Sequence, residues 1–211
     1  MAKIKAVLFD MDGVLIEAKD WHYEALNKAL GLFGYEITRA EHLSSYDGLP
    51  TKVKLKKLTL EKGLPVELHN FINEMKQQYT VGIIQNQCRP RFNHEYCLAK
   101  LRANGFQVAC CSNSIRMTIE MMMSYAKLDQ YLNLIMSNQD VKNAKPDPEI
   151  YSTAMKKLNL DPSECLIVED NENGIKAALA SGGHLMAVKT VDEVSWDNVM
   201  STIQEIEEGD K

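Results

Sequence analysis

Short apolar runs alternate with longer segments of helical spacing along most of the chain. The runs fall at residues 5–9, 107–111, 132–136, 165–168 and 184–188, each bounded by turn residues or acids. Between them, helical patterns cover 93–104, ending before Gly105; 115–127, after a Ser-Asn-Ser cap; 147–158, beside two prolines; and 171–181, stopping at Gly182-Gly183. These are helix start and stop signals. The runs are apolar throughout rather than alternating, which predicts strands buried on both faces. Strands alternating with helices predict an α/β protein with a parallel sheet covered on both sides. From about residue 19 to 88 the rhythm breaks. Only helical patterns appear there, at 21–33, 51–62 and 65–77, with Gly34, Gly48 and Gly63 marking the turns. That interval reads as a helical insertion after the first strand, giving one unit of residues 1–17 and 89–211 and a second of residues 18–88. The "CRPR" stretch, Cys88 to Arg91, is the expected hinge, and "EIEEGDK" at the C-terminus reads as a frayed helix end.

Composition changes this picture little. In 211 residues, 45% apolar and 25% charged is ample for a buried core in a globular protein. A net charge of −5 with mixed signs argues against nucleic acid as the main partner. No stretch approaches the roughly 18 apolar residues of a membrane span. Lys3 and Lys5 precede only a short apolar run before Asp10, too little for a secretory signal, so the expected location is cytoplasmic. The five cysteines show no metal-like spacing; Cys110 and Cys111 read as buried thiols, and Met121 to Met123 as core filling.

Candidate chemistry gathers where the strands end, which is where open parallel sheets bind ligands. In "KAVLFDMDGVLIEA" the first run stops at Asp10 and Asp12, followed by Gly13. The second strand leads into Ser112, Asn113 and Ser114, the third into "SNQDVKNAKPDPEIY" with Lys145, and the fourth into Glu169 and Asp170. Four carboxylates at one edge repel one another unless a cation is present, and all-oxygen ligands select a hard ion such as Mg²⁺. Lys145 and the Ser112/Asn113 turn can hold a phosphoryl group. A carboxylate can attack phosphorus and divide a very slow hydrolysis into two steps. Asp10, beside a metal and Lys145, is expected to stay ionised as nucleophile, because nearby cations lower a carboxylate's pKa. Asp12, sharing its side of the strand, is the expected proton donor and later base.

Together "DMDGV", "SNS", "KPDPEIY" and "VEDNENGI" resemble the motif set of the haloacid dehalogenase superfamily of phosphohydrolases, among the members with a small helical cap after the first motif. The resemblance implies a Rossmann-like three-layer core with a helical lid over residues 18–88. It implies Asp10 as nucleophile, Asp12 as acid/base, and Ser112 and Lys145 on the phosphoryl group. Mg²⁺ would sit on Asp10, the backbone carbonyl of Asp12, Asp170 and Glu169. Dehalogenase and phosphonate-cleaving members lack the second acid that Asp12 supplies here. Sugar phosphomutases share both aspartates and resemble this chain at His22, yet typically carry an arginine where Thr51 stands and a hydroxyl where Ala18 stands. A Mg²⁺-dependent phosphatase acting on a small phosphorylated metabolite, a sugar phosphate by preference, is therefore the leading expectation. The mutase is the alternative, and a non-catalytic binding protein of the same fold a second one. His22, Asp47, Gly48 and Lys52 are candidate specificity residues in the insertion; the lysine run 52–57 otherwise reads as a solvated helix face. Arg116 is expected either at the substrate or paired with a surface acid, and Asp140 either orienting Lys145 or capping a helix.

Overall fold

The computed structural model describes residues 3–209. The chain divides into two compact units, one running to Glu17 and resuming at Arg89, the other Ala18–Cys88.

Among the described residues the first unit holds five parallel strands, β1 (Ala6–Phe9), β2 (Gln107–Cys111), β3 (Leu134–Met136), β4 (Cys165–Glu169) and β5 (His184–Ala187), in the order β3-β2-β1-β4-β5. In register, Phe9 stands beside Cys110 and Val168, and Cys111 beside Met136, so the carboxyl ends of the central strands line up. The chain builds outward from β1 to β3 on one side and then crosses to β4 on the other. Such a reversal, here between β1 and β4, is where open α/β sheets bind ligands, beyond the carboxyl ends of the strands. Every residue of β1 and β4 is buried. Ala6, Leu8, Ala109, Cys111 and Met136 pack on one face against Ile150, Tyr151, Ala154 and Met155 of one helix and Ala177 and Ala178 of another. On the opposite face, β2 is covered by a helix that buries His94, Cys97, Leu98 and Leu101.

The second unit is helical. It contains α1 (Lys19–Gly31), the short α2 (Arg39–Glu41) running into a wider turn at His42–Tyr46, α3 (Thr51–Lys62) and α4 (His69–Gln87). Leu26, Leu30, Ile37, Tyr46, Leu55, Leu58, Leu64 and Ile72 make its core. Asn27 fixes the α1–α2 connection, donating to the carbonyl of Ile37 at 2.7 Å and accepting its N–H at 2.8 Å. The first unit continues with α5 (Phe92–Ala103), α6 (Arg116–Tyr125), α7 (Glu149–Leu158), α8 (Glu172–Ser181) and α9 (Trp196–Gly209).

Several elements differ from the sequence reading. The helix expected at 65–77 is a tight turn at Val66–Leu68 followed by α4, which runs on to Gln87. Its buried stripe is Ile72, Lys76, Thr80 and Ile84, every fourth residue and half of it polar, so apolar periodicity fades midway. The α2 segment was not anticipated, although Thr38 and Glu41 form the reciprocal capping box that announces it. The C-terminal stretch is helical through Gly209; Asp210 and Lys211 lie outside the described residues. All five cysteines are buried free thiols, and Met122 and Met123 are core residues.

Candidate active site

Asp10 leaves β1 with its N–H still on the carbonyl of Val168 at 2.9 Å, so the sheet itself sets its position. The chain then coils tightly. The carbonyl of Met11 accepts from the N–H groups of Leu15 and Ile16 at 3.0 and 2.8 Å. Gly13, at φ 91°, makes the reversal without the strain a side chain would bring. The Asp12 carboxylate accepts a hydrogen bond from the Ser114 hydroxyl at 3.3 Å, which joins the loop after β1 to the loop after β2. In that second loop the buried Ser112 oxygen accepts the Ser114 N–H at 3.0 Å.

Lys145 is the centre of the arrangement. Its ammonium donates to Asp10 Oδ1 and Glu169 Oε1, each at 2.6 Å, and to the Cys111 carbonyl and Tyr151 hydroxyl, each at 2.8 Å. Asn113 places the lysine: its side-chain amide donates to the Lys145 carbonyl at 3.3 Å and its oxygen accepts the Lys145 N–H at 3.1 Å. Burial alone would push the Lys145 ammonium toward neutrality, but Asp10 and Glu169 more than reverse that, and its pKa is raised. Asp10 departs from expectation. Burial, followed by the opposing pull of Lys145 and then the charges of Glu169, Asp12 and Asp170, leaves its pKa well above the usual carboxylate range. One lysine does not offset desolvation together with three acidic neighbours.

Asp10, Glu169 and Asp170 each present an oxygen, all within 4.8 Å of one another. Hard anionic oxygens this close fit a hard divalent cation, so the donor set suits the metal that the motifs imply.

The residues of the helical unit stand as follows. His22, half-buried on α1, has Nδ1 3.3 Å from the Lys76 ammonium. Asp47, after the His42–Tyr46 turn, has a carboxylate oxygen 3.7 Å from Nε2 of buried His42, and Gly48 follows in the same loop. Lys52 is exposed on α3, whereas Lys54 is buried, so the 52–57 run is not uniformly the solvated face anticipated. Lys57 donates to the Ser45 carbonyl at 3.1 Å.

A family model, haloacid dehalogenase-like hydrolase, matches residues 7–188. The chain belongs to that family. This haloacid dehalogenase-like hydrolase is 28% identical over 206 residues to a bifunctional riboflavin kinase/FMN phosphatase of Arabidopsis thaliana, covering 95% of the chain and 54% of that relative. It thus spans about half the length of that protein. It is 26% identical over 182 residues to a phosphorylated carbohydrates phosphatase of Thermotoga maritima, covering 85% and 82% of the two chains. Among solved structures, β-phosphoglucomutase from Clostridium difficile superposes with a TM-score of 0.83 at 22% identity, covering 96% and 98%; that likeness speaks to the fold.

The structure of this hydrolase brings Asp10, Asp12, Ser112, Asn113, Lys145, Glu169 and Asp170 to one sheet edge. His22, Asp47, Gly48 and Lys52 belong to the helical unit. Arg116 pairs with Asp140, whose two oxygens lie 2.8 and 2.7 Å from the same guanidinium nitrogen. Asp140 also accepts from the Ser137 N–H and hydroxyl, so it closes a turn rather than holding Lys145. The sequence does not single out Tyr151, and it assigns Gly174 only the shaping of a loop and helix start. Tyr151 sits inside "KPDPEIY", where it looks like one more core position of α7. Gly174 sits inside "ENGI", where it looks like loop punctuation. A Cβ on Gly174 would stand 2.0 Å from the Glu169 carboxylate.

Proposed function

We propose that this chain is a Mg²⁺-dependent phosphatase that hydrolyses a small phosphomonoester through an aspartyl-phosphate on Asp10. The observation that carries the reading is Lys145, a buried cation pinned between Asp10 and Glu169, with Asp170 beside those two acids and Asp12 two residues beyond Asp10 at the same strand end. Asp10 attacks phosphorus; the ester P–O bond breaks, and Asp12 gives its proton to the departing oxygen. Water then attacks the acyl phosphate, Asp12 takes that proton, and the aspartate leaves as carboxylate with inorganic phosphate as product. Lys145 and the Ser112 hydroxyl hold the phosphoryl oxygens during both steps, and Asn113 keeps Lys145 in place. Asp10, Asp170, Glu169 and the Asp12 carbonyl would hold Mg²⁺, which supplies charge neutralisation on the phosphoryl oxygens and lowers the Asp10 pKa that burial raises.

Selectivity is assigned to the helical unit, with His22, Asp47, Gly48 and Lys52 as the positions to test. The Thermotoga relative named for phosphorylated carbohydrates favours a sugar phosphate as substrate. No helix among the described residues is long and apolar enough to cross a membrane. The test is phosphate release, with Mg²⁺, from hexose 1- and 6-phosphates, phosphoglycolate and nucleotides. One preferred ester is expected, with release lowered at least about 10³-fold by Asp10→Asn. Interconversion of a sugar 1-phosphate primed by its bisphosphate, without net release, would establish the mutase instead. Absence of either reaction would leave a binding protein.

A further inference from the structure

Glu169 is held more completely than a metal-ligating carboxylate at a loop edge needs to be. Its Oε1 accepts from the Lys145 ammonium at 2.6 Å and from the Tyr151 hydroxyl at 2.5 Å. Its Oε2 accepts the Asp170 N–H at 3.2 Å. The side chain is fully enclosed, and Gly174 has no Cβ because one would overlap the carboxylate. The direction of each proton follows from chemistry. An ammonium only donates, so the Tyr151 oxygen accepts from Lys145, and the one hydroxyl proton goes to Glu169. Tyr151 is buried in α7 with its ring 4.7 Å from the same ammonium.

We infer that Tyr151 is a positioning residue: its hydroxyl fixes the Glu169 carboxylate, and through it the acid cluster that binds the divalent cation. The inference rests on the phosphatase reading for the identity of the reaction, but its central claim is about metal binding. Removing the hydroxyl leaves the Lys145 ammonium with three acceptors for three protons, namely Asp10, Glu169 and the Cys111 carbonyl. Tyr151→Phe therefore keeps the lysine satisfied and the core packed. What it deletes is one of the donors that orient Glu169. Outer partners of metal ligands commonly contribute roughly 10–100-fold to affinity or activity.

The experiment is calorimetric titration of the full chain with Mg²⁺, repeated with Mn²⁺ by electron paramagnetic resonance, alongside steady-state kinetics. Tyr151→Phe is expected to raise the Mg²⁺ dissociation constant about tenfold. With saturating metal, kcat should fall while KM for the phosphomonoester stays within about twofold, a split that simple loosening of the fold would not produce. Gly174→Ala approaches the same carboxylate from the other side and should weaken Mg²⁺ binding similarly. If Tyr151→Phe does not fold, Tyr151→Met, which also lacks the hydroxyl and adapts to the same core position, replaces it. Wild-type affinity in a folded Tyr151→Phe chain, or in Tyr151→Met when the first variant is lost, overturns the inference, as does a wild-type chain that binds no divalent cation. Weakened metal binding in the Tyr151 variant, together with a wild-type chain that binds the cation but releases no phosphate from any ester, would sustain it and sink the phosphatase reading instead.

Discussion

His94 has both ring nitrogens aimed at backbone carbonyls, Nδ1 at Leu15 (3.0 Å) and Nε2 at Val191 (2.7 Å), and it is 1% exposed. It ties α5 to the loop that follows Asp12 and to the turn after β5. A leucine of similar bulk would keep the packing but take a donor away from buried carbonyls, a loss of about 1–3 kcal/mol. His94→Leu should lower the urea midpoint accordingly, and His94→Gln, which retains an N–H donor, should lower it less. Equal or greater stability in His94→Leu would mean that the imidazole only fills space. The same contrast explains what the sequence revealed residue by residue. Asp10 and Asp12 were legible because acids at the end of a buried apolar strand have no structural reason to be there, and Lys145 because it stands in the "KPDPEIY" motif that follows β3. Tyr151 and Gly174 were not. Each looks ordinary in its own helix, and their roles exist only through Glu169, which lies 18 and 5 positions away respectively in the chain.

Between elements, the Arg116–Asp140 pair links the first residue of α6 to the turn that follows β3. Burial pushes the Asp140 carboxyl up, but the Ser137 hydroxyl and N–H and the Arg116 guanidinium more than reverse this and hold it at about 2, against an ordinary value of 3.8. A carboxyl depressed in the folded state adds stability that is complete above its unfolded pKa and disappears as pH falls toward the folded one. Asp140→Asn should therefore be less stable than wild type at pH 6, with the gap in urea midpoint closing as pH falls from about 4 toward 2. A gap independent of pH would show that the hydrogen bonds to Ser137, which asparagine can partly imitate, matter more than the charge. Element boundaries were legible in proportion to how sharply chemistry marks them. α3 is found at Thr51–Lys62 as read, because Pro50 precedes it and Gly63 follows. α4 outran its reading by ten residues because half of its buried stripe is Lys76 and Thr80.

Across the whole molecule, the units are separable by several independent marks. All five strands, together with Asp10, Asp12, Ser112, Asn113, Lys145, Glu169 and Asp170, lie in the unit that ends at Glu17 and resumes at Arg89. The helical unit has its own apolar cluster around Leu30, Tyr46, Leu58 and Ile72. The chain leaves and re-enters the sheet-bearing unit at neighbouring points, since the Glu17 carboxylate and Arg91 guanidinium lie 3.5 Å apart. A short Gly/Ser linker can therefore replace residues 18–88 without stretching β1 or α5. The shortened chain is expected to unfold in one cooperative urea transition and to bind Mg²⁺, because the acid cluster and Lys145 are supplied locally. It should still hydrolyse a generic aryl phosphate, at a rate reduced roughly 10²-fold or more under the proposal that the helical unit serves to exclude bulk water during turnover. Discrimination among hexose phosphates, phosphoglycolate and nucleotides should vanish. Retention of the full chain's preference would move selectivity out of the helical unit and into the loops after β2 and β3, where Ser112 to Asp140 would become the positions to vary.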